Sequence, residues 1–162
     1  MIEVIIMICA VIFIAIVING AEDYFKSTNK MSFREAMDLV ELPVVTFYQN
    51  KEKFNFLLDT GSTHSHISSE IVNKIKGTPT ESIDSIQGIG GEVTSNTAIK
   101  AILEYKSKTY EVILVVGEYL NESFKNIKES TGVQLHGIIG SDFLSDNRYI
   151  LDFDEFVAYQ KK

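Results

Sequence analysis

The sequence predicts a mostly β domain with a few short helices, set behind an N-terminal apolar segment long enough to span a membrane, and three observations carry that expectation. Every residue from Val4 to Ile18 is apolar, and only Glu3 interrupts the run that begins at Met1. From Leu42 to Gln160, short apolar or alternating stretches are broken by turn-forming residues, the pattern of strands with a buried face. Two of these stretches end at glycine-bearing junctions, Asp59-Thr60-Gly61-Ser62 and Gly137-Ile138-Ile139-Gly140.

Taken in order, residues 1–20 form the expected anchor, with residues 2–18 in the bilayer. No Lys or Arg precedes the run and Asn19-Gly20-Ala21 lacks a small-x-small cleavage site, so an uncleaved single-pass anchor is preferred over a secretory signal. A helix apolar on all faces also argues against a surface-packed core helix. Lys26, Lys30 and Arg34 follow the span, which inclines the rest of the chain to the cytoplasmic side. Residues 21–41 are a juxtamembrane linker followed by a short helix. Ser32-Phe33-Arg34-Glu35 has capping-box spacing, so the helix runs over about 33–40 and ends before Pro43.

Residues 42–162 hold the domain. Val44 to Tyr48 and Lys53 to Leu58 read as a hairpin about Gln49-Asn50-Lys51-Glu52, delivering Asp59 at its end. Ile71, Val72 and Ile75 have helical spacing after Ser68 and Ser69, which predicts a helix within 67–76, closed by Gly77 and Pro79. Strands at 83–86 and 93–102 flank the glycine-rich Ile86-Gln87-Gly88-Ile89-Gly90-Gly91, a hairpin tip with positive-φ positions. Leu103 to Val116 alternates as two strands around Lys106-Ser107-Lys108. Glu118 to Ser130 is helical, with Gly132 as its cap. Gly137 to Gly140 is a strand end, Ser141 to Ser145 a helical turn, and Arg148 to Gln160 a closing hairpin about Asp154-Glu155.

A chain of 162 residues with 45% hydrophobic content holds one domain of ordinary size plus a short extra element. Its net charge of −7 offers no basic stripe for a nucleic acid. The lone cysteine, Cys9, lies in the apolar run, so no disulfide can form within the chain.

The Asp59 turn is the feature that speaks of chemistry. An apolar strand of Phe54, Phe56, Leu57 and Leu58 anchors it, Gly61 permits a sharp bend, and Thr60 and Ser62 bring hydroxyls able to fix a carboxylate. Alone, Asp-Thr-Gly occurs by chance, and a glycine-rich hairpin or a buried Gly-Ile-Ile-Gly strand is ordinary structure. In order and spacing, however, Asp59-Thr60-Gly61-Ser62, the tip Gly88-Ile89-Gly90-Gly91 and Gly137-Ile138-Ile139-Gly140 together resemble the retropepsin-like aspartic peptidases, over about Leu42 to Gln160. The resemblance implies a closed antiparallel β-barrel-like domain and an aspartic endopeptidase that needs no metal or cofactor.

It also implies roles. Only one Asp-Thr-Gly is present, so a two-carboxylate mechanism requires a homodimer in which Asp59 of each copy activates a shared water. Thr60 would bond across the dimer axis, Gly61 would present backbone to the substrate, and Ser62 would donate to the outer carboxylate oxygen. Ile89, Gly90 and Gly91 would close as a flap over an extended peptide, and Ile138 and Ile139 would pack beneath the turn. Ser141 stands where retroviral enzymes have an arginine and Thr63 where its aspartate partner stands, so that ion-pair network is absent and Asp142 is left to cap the short helix. His64, His66 and His136 lack zinc-site spacing. Asp152 and Asp154 read as solvated turn groups. Two other readings share the same residues: a noncatalytic peptide-binding or assembly module, and a peptidase that releases its own domain by cutting near residues 19–31.

Overall fold

β1 (Val44–Gln49) and β2 (Glu52–Leu58) pair antiparallel from Val44↔Leu57 to Gln49↔Glu52. The two residues between them, Asn50 and Lys51, both have left-handed φ, 51° and 70°. That twist suits a two-residue hairpin, although only asparagine adopts it readily. β7 (Ala98–Tyr105) and β8 (Lys108–Gly117) repeat the device, closing at Tyr105↔Lys108 with Lys106 and Ser107 at positive φ. The computed structural model describes residues 32–80, 86–88, 91–93 and 97–161. The expected anchor, most of the linker, and the flap residues Ile89 and Gly90 lie outside them. Among the described residues no helix is long and apolar enough to cross a membrane.

Among the described strands, six close into a barrel in the order β1, β2, β9 (Gly137–Ile139), β3 (His66–Ser68), β8, β7. The seam is the single pair Tyr48↔Glu104 between β1 and β7. β4 (Gly77–Thr80) adds to the free half of β7, with Pro79 opposite Ile99 on the sheet edge, where a missing N–H costs nothing. β5 (Ile86–Gly88) and β6 (Gly91–Val93) form a separate ribbon ending at Gly88↔Gly91, and β10 (Tyr149–Asp152) pairs with β11 (Val157–Gln160).

Two features depart from the sequence expectation. The barrel is mixed, because β2 runs parallel to β9 and β3 parallel to β8. β9 lies between the two arms of the loop that joins β2 to β3, parallel to one and antiparallel to the other. The expected helix over 67–76 is instead β3, a turn and a single 3-10 turn at Val72–Lys74, followed by β4. Ile71 and Ile75, which keep helical spacing, are buried as anchors of an irregular segment.

The helices follow their caps. In α1 (Phe33–Val40) the Ser32 side chain accepts from the Glu35 amide while the Glu35 carboxylate accepts from the Ser32 amide. α2 (Leu120–Thr131) ends at Gly132, whose φ of 78° makes it a left-handed cap. α3 (Ser141–Asp146) starts at Gly140, which has no side chain to cap it, and the first-turn Phe143 amide is instead satisfied by Asp142 Oδ1 at 2.7 Å.

Alternation sorts the side chains into two cores. Phe47, Phe54, Phe56, Leu58, Ile67, Leu103, Leu114, Ile139 and Phe143 fill the barrel, where Phe47 meets Phe56 edge-on at 5.6 Å and Phe143 at 5.8 Å. On the other face of β2 and β9, Leu57 and Ile138 pack with Ala36, Val44, Leu120, Phe124, Val133 and Leu135. Thr46 and Asn55, opposite one another in β1 and β2, are buried with a 2.7 Å hydrogen bond from Thr46 Oγ1 to Asn55 Oδ1.

Candidate active site

The buried end of β2 fixes Asp59. Leu58 is 4% exposed and the next residue's amide donates to the Ile139 carbonyl at 2.9 Å, so the turn starts from a point clamped to β9. The Gly61 amide then donates to Asp59 Oδ1 at 2.8 Å and the Ser62 amide to the Asp59 carbonyl at 3.3 Å. One carboxylate oxygen is thus held by the turn's own backbone. Oδ2 has no hydrogen-bond partner among the described residues, and Thr60 and Gly61 beside it are exposed.

Beyond the turn the chain crosses the end of β9. A Cβ at Gly140 would collide with the His64 carbonyl, and one at Gly137 with the His66 carbonyl and the Phe56 ring. Both positions of Gly137-Ile138-Ile139-Gly140 therefore need glycine for close approach. Of the isoleucines, Ile139 enters the barrel beneath the turn, whereas Ile138 joins the second core.

Ser62 does not donate to the carboxylate. Its hydroxyl donates to the His64 carbonyl at 2.7 Å, because the loop folds back there and leaves its single proton no path to Asp59. The Ser62 carbonyl in turn accepts from the Ser141 amide at 2.8 Å and the Ser141 hydroxyl at 2.9 Å. Ser65, fully buried, gives its amide to Asp142 Oδ2 at 2.9 Å and its hydroxyl to Asp142 Oδ1 at 2.8 Å, and that hydroxyl accepts from the Gly140 amide at 3.0 Å. Where the sequence showed only an absent ion pair, the chain has a neutral-to-carboxylate network of its own. Ser65, within Thr63-His64-Ser65-His66, gives no sign of this in the sequence, since its partner is 77 residues away.

His66 and His136 are structural in setting. His66 is 2% exposed and its Nδ1 lies 2.8 Å from the Tyr119 hydroxyl. Burial, and then the neighbouring His64, lower its pKa to about 4 in spite of Asp142 and Asp59. His136 accepts the Asn55 amide at Nδ1 at 2.9 Å, and burial followed by the charge of Lys74 lowers it to about 4 as well. Among the described residues no group of three His, Cys, Asp or Glu side chains could hold a metal. Asp152 forms a turn by accepting the Asp154 and Glu155 amides at 3.0 and 2.9 Å. Of the expected flap residues only Gly91 is described, as the first residue of β6 opposite Gly88.

Residues 45–143 match the aspartyl protease family. No curated protein is similar to the chain at a significant level. Among solved structures, the EIAV protease complexed with the inhibitor HBY-793 is similar with 22% identity and a TM-score of 0.49, over 67% of this chain and 90% of that one.

Proposed function

The chain belongs to the aspartyl protease family, and from that premise we propose that it is a membrane-anchored endopeptidase whose active site forms only in a homodimer. The observation that carries the proposal is the Asp59 carboxylate, with Oδ1 fixed by the Gly61 amide and Oδ2 without a hydrogen-bond partner among the described residues, on an exposed turn rooted in buried strands. A carboxylate placed so firmly and yet so accessible is suited to bind and polarise a water.

Peptide hydrolysis by carboxylates needs one ionised group to take a proton from water and one protonated group to polarise the scissile carbonyl. Two carboxylates about 3 Å apart cannot both ionise, so a symmetric pair shares one proton and divides the roles. With a single Asp-Thr-Gly per chain, the second carboxylate is Asp59 of a second copy. Thr60, exposed at the crest of the turn, is placed to meet its counterpart across the axis. The ribbon of β5 and β6, with Ile89, Gly90 and Gly91, closes over an extended peptide, its glycines acting as hinges and its amides as donors. Residues 2–18 hold the enzyme on a membrane.

The test is incubation of the full-length protein in detergent with a diverse peptide library, comparing wild type with Asp59→Asn. Internal cleavage by wild type and none by the variant supports the proposal. Retention of extended peptides by both proteins without cleavage favours a binding module instead.

A further inference from the structure

The Asp59 turn is secured at both ends by one segment, residues 137–142. Before the turn, the Asp59 amide donates to the Ile139 carbonyl; after it, the Ser62 carbonyl accepts twice from Ser141, and Ser65 is bound to Asp142 through both its amide and its hydroxyl. Between these attachments lie only Thr60 and Gly61. Three donors converge on the Asp142 carboxylate, because the Phe143 amide also reaches Oδ1, at 2.7 Å. An asparagine offers one acceptor oxygen and an NH2 group, so it cannot serve donors on both sides.

We infer that Asp142, acting through Ser65, is a positioning residue that sets where the Asp59 turn stands. The inference rests on the peptidase reading for its catalytic consequence. In a two-fold dimer any displacement of the turn occurs in both copies, so the spacing between the two carboxylates changes by up to twice the shift in either. A misplacement of about 1 Å remote from the reacting atoms can cost roughly a hundredfold in rate. Ser65 is the coupling: it is fully buried, and its hydroxyl both donates to Asp142 and accepts from Gly140, which leaves the loop one register on the end of β9.

The experiment uses the full-length protein and its Asp142→Asn, Ser65→Ala and doubly substituted variants. Folded protein is scored by circular dichroism and melting, kcat and KM are measured on one cleaved peptide, and amide exchange is followed at Gly61 and Ser62. The expected result is kcat lowered roughly tenfold to a hundredfold with KM little changed. Exchange should rise at Gly61 and Ser62, and the double variant should be no worse than the more impaired single one. If Ser65→Ala does not fold, Asp142→Asn alone decides. Full kcat in folded Asp142→Asn, or a loss of activity that merely matches a loss of folded protein, overturns the inference. Should wild type cleave nothing, or Asp59→Asn stay active, the peptidase reading fails separately; unchanged exchange at Gly61 and Ser62 in Asp142→Asn would then overturn the positioning role itself.

Discussion

The His66 imidazole and the Tyr119 hydroxyl lie 2.8 Å apart, in a pocket of the fold where a charged imidazole is disfavoured. His66 sits on β3, directly after Ser65, which is bound to Asp142. Its pKa and that of His136, each about 4, lie below the ordinary 6.5. The unfolded chain therefore binds protons between pH 6.5 and 4 that the folded chain does not. Each histidine stabilises the fold fully above pH 6.5, and that contribution is lost as pH falls toward 4, by about 3 kcal/mol for the well-buried His66. The melting temperature should fall over this interval, and His66→Gln should flatten the slope. A melting temperature constant from pH 7 to 4 contradicts the assignment.

Asp59→Asn should lower peptide cleavage by more than about a hundredfold, because it removes the ionisable group needed for proton transfer. The fold should survive, since an asparagine oxygen can still accept the Gly61 amide. Melting curves and cleavage rates on the same preparation check both halves. Chelators should leave wild-type cleavage unchanged, and inhibition by them would point back to the histidines.

Specific activity should fall on dilution. A site assembled from two copies disappears with the dimer. Activity that stays constant to concentrations where sedimentation finds only monomer would count decisively against a shared site.

Gly140→Ala should destabilise by about 3 kcal/mol, since the new methyl group meets the His64 carbonyl, a backbone atom held by Ser62 and unable to yield. Chemical denaturation would measure it. Lys51→Gly should act oppositely, adding about 1 kcal/mol by removing a left-handed lysine from the first hairpin.

Local pattern made much of this fold readable. The β1–β2 hairpin, α1 with its capping box, the Gly132 cap of α2 and the closing β10–β11 hairpin each depend on residues within a few positions of one another. The segment after Ile67 has the spacing of a helix without being one, because Ile71 and Ile75 are buried one at a time in turns. The parallel ladders left no local trace, since their partners are far apart in the chain. Asn55, a polar residue inside the apolar run Phe54 to Leu58, is a sequence signal of a long-range contact. Buried polar groups require partners, and Asn55 has Thr46, the Gln134 carbonyl and, through its amide, His136. Asp59 was legible from its turn chemistry, whereas Ser65 and Asp142 acquire meaning only when two distant segments meet.

The seating of β9 between the arms of the β2–β3 loop has a consequence for the order of events in folding. The first barrel hairpin, β1–β2, can form from near neighbours, but the carboxylate just past the end of β2 stays unanchored until β9 and the segment after it, which carries Asp142 77 residues beyond Ser65, move into the gap. Closing so long a loop is entropically unfavourable until its contacts are made, and such non-local pairings slow folding. A nascent chain that has emerged only through α2 carries the Asp-Thr-Gly sequence without the architecture that aims it. The turn thus becomes competent only once the chain downstream of α2 has folded onto it, a natural safeguard for a member of the aspartyl protease family.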